Sequence, residues 1–379
     1  MKIVLIGPVY PYKGGIAHYT GMLFRTLEKK HEVSMISYKL QYPRFLFRKQ
    51  QKDFSSDLFK VEPCKYLINT MNPFNIVRVG QKIKKIEPDL VIIQWWHPYF
   101  APCYRLLEIS IGKKIQKMFI CHNVFPHERF PMDRFLTKLV LKHGDSFIVH
   151  SESDAEDLLT IKPKAKYKNN PHPTYNMFRI KNMSKDQARE ELGISESEKV
   201  LLFFGFVREY KGLKYLLRAM PMIRSKMSDV RLMVVGTFGE DKEDYIEIIN
   251  ECQIRECVDI IDGYTPDNEV EKYFTACDLV VCPYESATQS GIVQIAYGFE
   301  KPVIATNVGG LPDVVTDGKT GFIIEPRNSG ALAEAVEKYY RENQEAVFAE
   351  CVKEEAYRFS WDRMVEAIMS LGKDGSSNK

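Results

Sequence analysis

The chain has 379 residues and no long apolar run: no stretch of 18 apolar residues offers itself as a membrane-spanning helix. The first run, Ile3–Ile6, is too short for the apolar centre of a secretory signal, so a soluble, cytoplasmic protein is expected. The eight cysteines form no C-x-x-C pair, which excludes a zinc ribbon or a thioredoxin-like motif. Scattered in this way, they read as buried thiols of a reduced compartment. No G-x-G-x-x-G follows the first strand and no ribose-binding acid follows the second, so a nicotinamide site is disfavoured. No Asp-x-Asp stands at a strand end, and no bound metal is expected. A zinc module, an RNP run and a helix-turn-helix signature are also missing, and nucleic acid is not an expected partner.

What is present suits two cores. Hydrophobic residues make up 45% of the chain and aromatics 12%, and the length calls for two domains of roughly 150–200 residues. The net charge of +3 hides a division. Residues 1–180 carry 29 Lys+Arg against 15 Asp+Glu, whereas the remainder carries 24 against 35. A basic half joined to an acidic half points to an anionic partner for the first.

Short β-branched runs alternate with helix-patterned stretches. The first series is Lys2–Gly7, Val33–Ser37, Leu90–Gln94, Lys117–His122 and Ser146–His150. The second is Val200–Phe204, Arg231–Val235, Val258–Ile261, Leu279–Cys282, Val303–Ala305 and Gly321–Ile324. This alternation predicts an α/β protein with two doubly wound, Rossmann-like domains, which bind ligands at the carboxyl ends of their strands. The expected division is 1–171, 172–357, and a segment 358–379 whose helix returns to the first domain before a polar tail.

Four stretches stand where strand ends would meet a ligand. Gly14 and Gly15 open a helix after the first strand and can present backbone N–H groups to a phosphate, although a turn needing positive φ explains them equally well. Arg208 and Lys211 follow the strand Val200–Phe204 and suit a diphosphate, one as a fork and the other as a point charge. Thr288, Gln289, Ser290 and Gly291 lead into a helix and fit an anion-binding N-terminus or ordinary capping. His122 closes its strand, with His127 in the following loop and His97 after Trp95-Trp96, all candidates to meet an acceptor or the transferred group. Tyr42–Lys52 interleaves aromatic and basic side chains, as a solvated loop or as a segment meeting an anionic bilayer.

The run FGFVREYKGL, followed by the stretch from YTPDNEVEKYF through CPYESATQSGIVQIAYGFEKPVIATNVGGLPDVV to TGFIIEP, resembles the donor domain of retaining group 1, family 4-type glycosyltransferases of GT-B fold. The resemblance implies two domains facing across a cleft. It also implies transfer of a sugar from a UDP- or GDP-linked donor to a glycan or lipid-linked acceptor, as in polysaccharide biosynthesis, with retention and without a cofactor. By position, Arg208 and Lys211 would hold the donor diphosphate, and Glu285 would orient sugar hydroxyls. Gln294 would take the place of the family's ribose-binding Glu, and His122 would be its pocket His. The family's Arg after the glycine is Phe206 here, and position 293, eight after Glu285, is Val. Two rival readings share the scaffold: a nucleotide-sugar epimerase, and a non-catalytic protein binding glycan or anionic membrane.

Overall fold

A computed structural model describes residues 1–46, 50–54, 59–126, 131–239, 241–287 and 289–373. They divide into two compact units, Met1–Pro171 with the segment from Ser360, and His172–Phe359. The return to the first unit therefore starts at Ser360 rather than 358. Phe359 is buried in the second unit, where its ring lies 5.6 Å from that of Tyr297 and its carbonyl accepts from the Thr174 N–H at 3.0 Å.

The first unit is built on seven parallel strands, β1 (Lys2–Ile6), β2 (Glu32–Leu40), β3 (Cys64–Asn69), β4 (Leu90–Trp95), β5 (Gln116–Cys121), β6 (Ser146–Val149) and β7 (Tyr167–Asn169), in the order β3-β2-β1-β4-β5-β6-β7. Sequences such as KIVLI and LVIIQW are buried on both faces because helices cover both sides of a parallel sheet. The last helix, Trp361–Lys373, places Met364, Ile368 and Leu371 in one core with Leu5, Leu23 and Phe24. Each such buried side chain contributes about 1.5–3 kcal/mol, which explains the chain's return to this unit.

The second unit repeats the plan with β8 (Lys199–Phe204), β9 (Val230–Gly236), β10 (Val258–Asp262), β11 (Leu279–Cys282), β12 (Val303–Thr306) and β13 (Gly321–Ile324), ordered β10-β9-β8-β11-β12-β13. Strand order reverses between β1 and β4 in one sheet and between β8 and β11 in the other. At such a reversal the loops leaving the two central strands part and open a crevice at their carboxyl ends. Among the described residues, no helix is long and apolar enough to cross a membrane, and no cluster of three or more His, Cys, Asp or Glu could hold a metal ion.

Candidate active site

In the second unit the crevice lies between the loop after β8 and the loop after β11. Gly205 follows β8 with φ +101, and a Cβ there would stand 3.1 Å from the Lys211 Nζ and 3.4 Å from Ile292. The glycine thus lets a lysine from the short turn Glu209–Lys211 and the first turn of the helix Gly291–Gly298 close over one backbone position. The same turn is fastened to the second loop. The Glu285 N–H donates to the Tyr210 carbonyl at 2.6 Å, and the Lys211 ammonium stands 5.6 Å from the centroid of the Tyr284 ring. Tyr284 and Ser290 hydroxyls are 3.2 Å apart.

The electrostatics of this corner are unusual. Burial pulls the Lys211 ammonium down to about 8; the Cys282 thiol acts in the opposite sense, and Arg208 adds to the lowering. The Cys282 thiol itself is pushed up to about 11 by burial. Among the described residues no carboxylate pairs with Lys211 or with the exposed Arg208. A poorly solvated cation without a counter-ion is costly unless an anion joins it.

Two further features point the same way. Ser290 is the N-cap residue of the helix Gly291–Gly298, yet its side chain makes no capping bond, so it leaves the first-turn N–H groups to another acceptor. Gln294, on that helix, is fully buried, and neither its Oε1 nor its Nε2 has a hydrogen-bond partner. An unpartnered buried amide costs about 1–3 kcal/mol, and a bound polar ligand would relieve it. Gln289 is half-buried and Gly291 exposed in the same loop. Thr288 lies outside the described residues.

Glu285 does not fit the sugar-orienting role that its position suggests. Its carboxylate is engaged by Lys214 at 3.0 Å and by the Arg327 Nε at 2.9 Å. Burial raises its pKa, but these two cations outweigh that and hold it below the usual carboxylate range. It acts instead as a clasp joining the β11 loop to the helix Leu213–Lys226 and to the segment after β13.

In the first unit the carboxyl ends of β1, β4 and β5 gather a second set. Gly14, φ +104, precedes the helix Gly15–Leu27, which also has no side-chain cap. His122 is nearly buried; its Nε2 lies 2.7 Å from the Gln94 Oε1, and its ring meets Tyr19 edge-on at 4.6 Å and His150 at 5.6 Å. Burial drives the His150 imidazole down to about 4, so it is neutral. Gln94 Nε2 is buried without a hydrogen-bond partner. A Cβ on Gly7 would lie 2.6 Å from the Gln94 Cγ, so that glycine makes room for the amide. Gln94 was not singled out in the sequence, although a lone polar residue in LVIIQW signals it. His97 is a correction: its Nδ1 accepts from the Tyr99 N–H at 3.0 Å, capping the turn Pro98–Phe100, which is a structural task. His127 lies outside the described residues, as do Phe47, Arg48 and Lys49 of the aromatic and basic segment.

Models of two families match, glycosyl transferases group 1 over residues 184–357 and glycosyltransferase family 4 over residues 13–168. The chain belongs to the group 1, family 4 glycosyltransferases. Among its relatives, D-inositol 3-phosphate glycosyltransferase of Mycobacterium marinum is 27% identical over 244 residues, 61% of this chain and 50% of that protein. The chain spans about half the length of most of the curated relatives it matches. Spore coat protein SA of Bacillus subtilis is 25% identical over 98% of this chain and 99% of its own. Among solved structures, Anabaena Alr3699/HepE in complex with UDP-glucose aligns with a TM-score of 0.73 and 18% identity over the whole of both chains, a likeness of fold.

Proposed function

We propose that the chain moves a sugar from a UDP- or GDP-linked donor to a hydroxyl of a glycan or lipid-linked acceptor, with retention of configuration. The observation that carries this reading is Lys211, an ammonium beside a helix start that Ser290 does not cap, with no carboxylate among the described residues to neutralise it. A donor diphosphate supplies the missing charge, and Gln294 supplies a buried amide for the nucleotide's ribose. UDP-glucose in the HepE structure and the phosphorylated inositol named for the mycobacterial relative agree with a nucleotide-sugar donor and an anionic acceptor. The cationic excess of the first half suits the latter.

In the reaction the bond between the anomeric carbon and the phosphate oxygen breaks while the acceptor oxygen bonds to the same face. The acceptor proton passes to the departing phosphate oxygen. Negative charge grows on the diphosphate as this happens. Arg208, Lys211 and the helix start at Ser290–Gly291 are fixed in advance around it, and such preorganised stabilisation is worth several kcal/mol. These groups do what a divalent metal does elsewhere, so the transfer is proposed to be metal-independent.

The pH dependence of nucleotide binding tests this directly. In the free protein Lys211 loses its proton as the pH rises through about 8. Affinity for UDP or GDP is therefore expected to fall by about tenfold between pH 7 and pH 9.5, measured by calorimetry. The protein's own stability responds in the opposite sense: the contribution of this depressed lysine is present above about pH 10.4, its unfolded value, and is lost as pH falls through 8. Equal affinity at both pH values, or no binding of either nucleotide, would count against the assignment.

A further inference from the structure

Among the described residues, burial draws two lysines of the second unit below the ordinary lysine range, Lys211 and Lys301. Their surroundings differ. The Lys301 Nζ donates to the Cys277 carbonyl at 2.7 Å and to the Thr275 carbonyl at 3.3 Å, closing the end of the helix Val270–Ala276. The Lys211 Nζ donates to no carbonyl, carboxylate or hydroxyl among the described residues. It stands 5.6 Å from the centroid of the Tyr284 ring and 3.1 Å from where a Gly205 Cβ would be, a point that Ile292 approaches to 3.4 Å.

A lysine whose N–H groups are bonded to carbonyls is held as ammonium. One that meets an aromatic ring and an aliphatic side chain loses hydration without that compensation, which favours the free amine and its lone pair. With Lys211 drawn down to about 8, roughly a quarter of it is free amine at about pH 7.5. A lysine at its ordinary value of about 10.4 is free amine in about one molecule per thousand. The other titratable groups facing Lys211 do not compete for this range. Burial pushes the Cys282 thiol up to about 11 and the Tyr284 phenol higher still. The Glu285 carboxylate in the same loop is taken by Lys214 and Arg327. Arg208, in the same turn, stays charged and adds to the lowering of Lys211.

A nucleophilic amine beside a guanidinium selects a reagent with two features, an electrophilic carbonyl and an anion. We propose that Lys211 is also a site of covalent modification, at which a small phosphorylated aldehyde forms a reversible imine. The Nζ lone pair adds to the carbonyl carbon, and the carbonyl oxygen takes up one of the amine's protons. The carbinolamine then expels that oxygen with the second amine hydrogen as water, leaving a C=N bond. No oxidant or reductant is needed. The phosphate lies with Arg208 and the helix start that Ser290 does not cap. The inference rests on the diphosphate reading of this site for the phosphate alone. It adds that such an aldehyde and the nucleotide exclude each other, so that the modification switches the site off.

Treatment of the full chain with pyridoxal 5′-phosphate, reduction of the imine by borohydride and mass mapping of the labelled peptides test it. At about pH 7.5 Lys211 is expected to take the label about tenfold or more ahead of any exposed lysine. Lys301, bonded to two carbonyls, should stay unlabelled. Labelling of Lys211 should rise between about pH 6.5 and about pH 8.5, and pyridoxal, which lacks the phosphate, should label it about tenfold less. Dialysis before reduction should return the unmodified chain. Label spread evenly over exposed lysines, Lys301 labelled as fast as Lys211, equal labelling by pyridoxal, or a label that dialysis does not remove overturns the inference. UDP or GDP should block the label. Selective labelling of Lys211 that neither nucleotide blocks supports the modification site and counts against the donor reading. Nucleotide binding by calorimetry with no label on Lys211 does the reverse.

Discussion

A Lys211→Ala variant is expected to lose the thermal stabilisation that UDP or GDP gives the wild type, and to lose turnover by about 10²–10³-fold. At a hundredfold excess over Kd a ligand stabilises by about 2.7 kcal/mol, or roughly 5–10 °C in Tm for a unit of this size, so the loss is easily read. The free variant should be no less stable than the wild type, because the ammonium that burial strains has been removed. Lys211→Arg keeps the charge but must fit a planar fork beside Gly205 and Ile292, and should restore only part of the binding. A Lys211→Ala protein that still shifts fully with UDP would show that the diphosphate binds elsewhere.

The second large effect is expected from Gly212→Ala. Gly212 has φ +66, and a Cβ there would stand 2.0 Å from the Pro283 carbonyl oxygen. Backbone cannot rotate out of the way as a side chain can, so the Glu209–Lys211 turn must leave the β11 loop and take Lys211 with it. A loss of about 3 kcal/mol is expected, together with weakened nucleotide binding. Gly193→Ala provides the comparison. Gly193 has φ +65 but nothing within 4 Å of a Cβ, so only the left-handed strain of about 1 kcal/mol applies. Urea denaturation of the two variants separates strain from contact; equal losses would mean that the approach to Pro283 does not hold the site together.

The strands that carry the candidate site were legible as β-branched runs, and the two cations, Arg208 and Lys211, were legible from their place after β8. The edge strands of the first sheet were not. In CKYLIN only Ile68 is fully buried, because β3 has a neighbour on one side alone, so no apolar run marks it. At three residues, Tyr167–Asn169 is too short to carry a pattern. Glu285 was misread for a related reason. Its cationic partners Lys214 and Arg327 are 71 and 42 positions away in the chain, and spacing from the helix start does not reveal which way a side chain turns. His97 failed locally: the N–H two residues on claims its ring nitrogen, which its place after a strand end does not reveal. The unpaired state of Lys211 could not be read at all, since a sequence rich in carboxylates says nothing about which of them approach it.

Following the donor's anomeric proton by ¹H NMR, with and without an acceptor extract, tests sugar transfer most directly. The expected result is loss of the donor signal only when acceptor is present, with a new anomeric signal of the donor's configuration. An epimerised donor without acceptor, a product of inverted configuration, or a donor signal that persists in the presence of acceptor would contradict it.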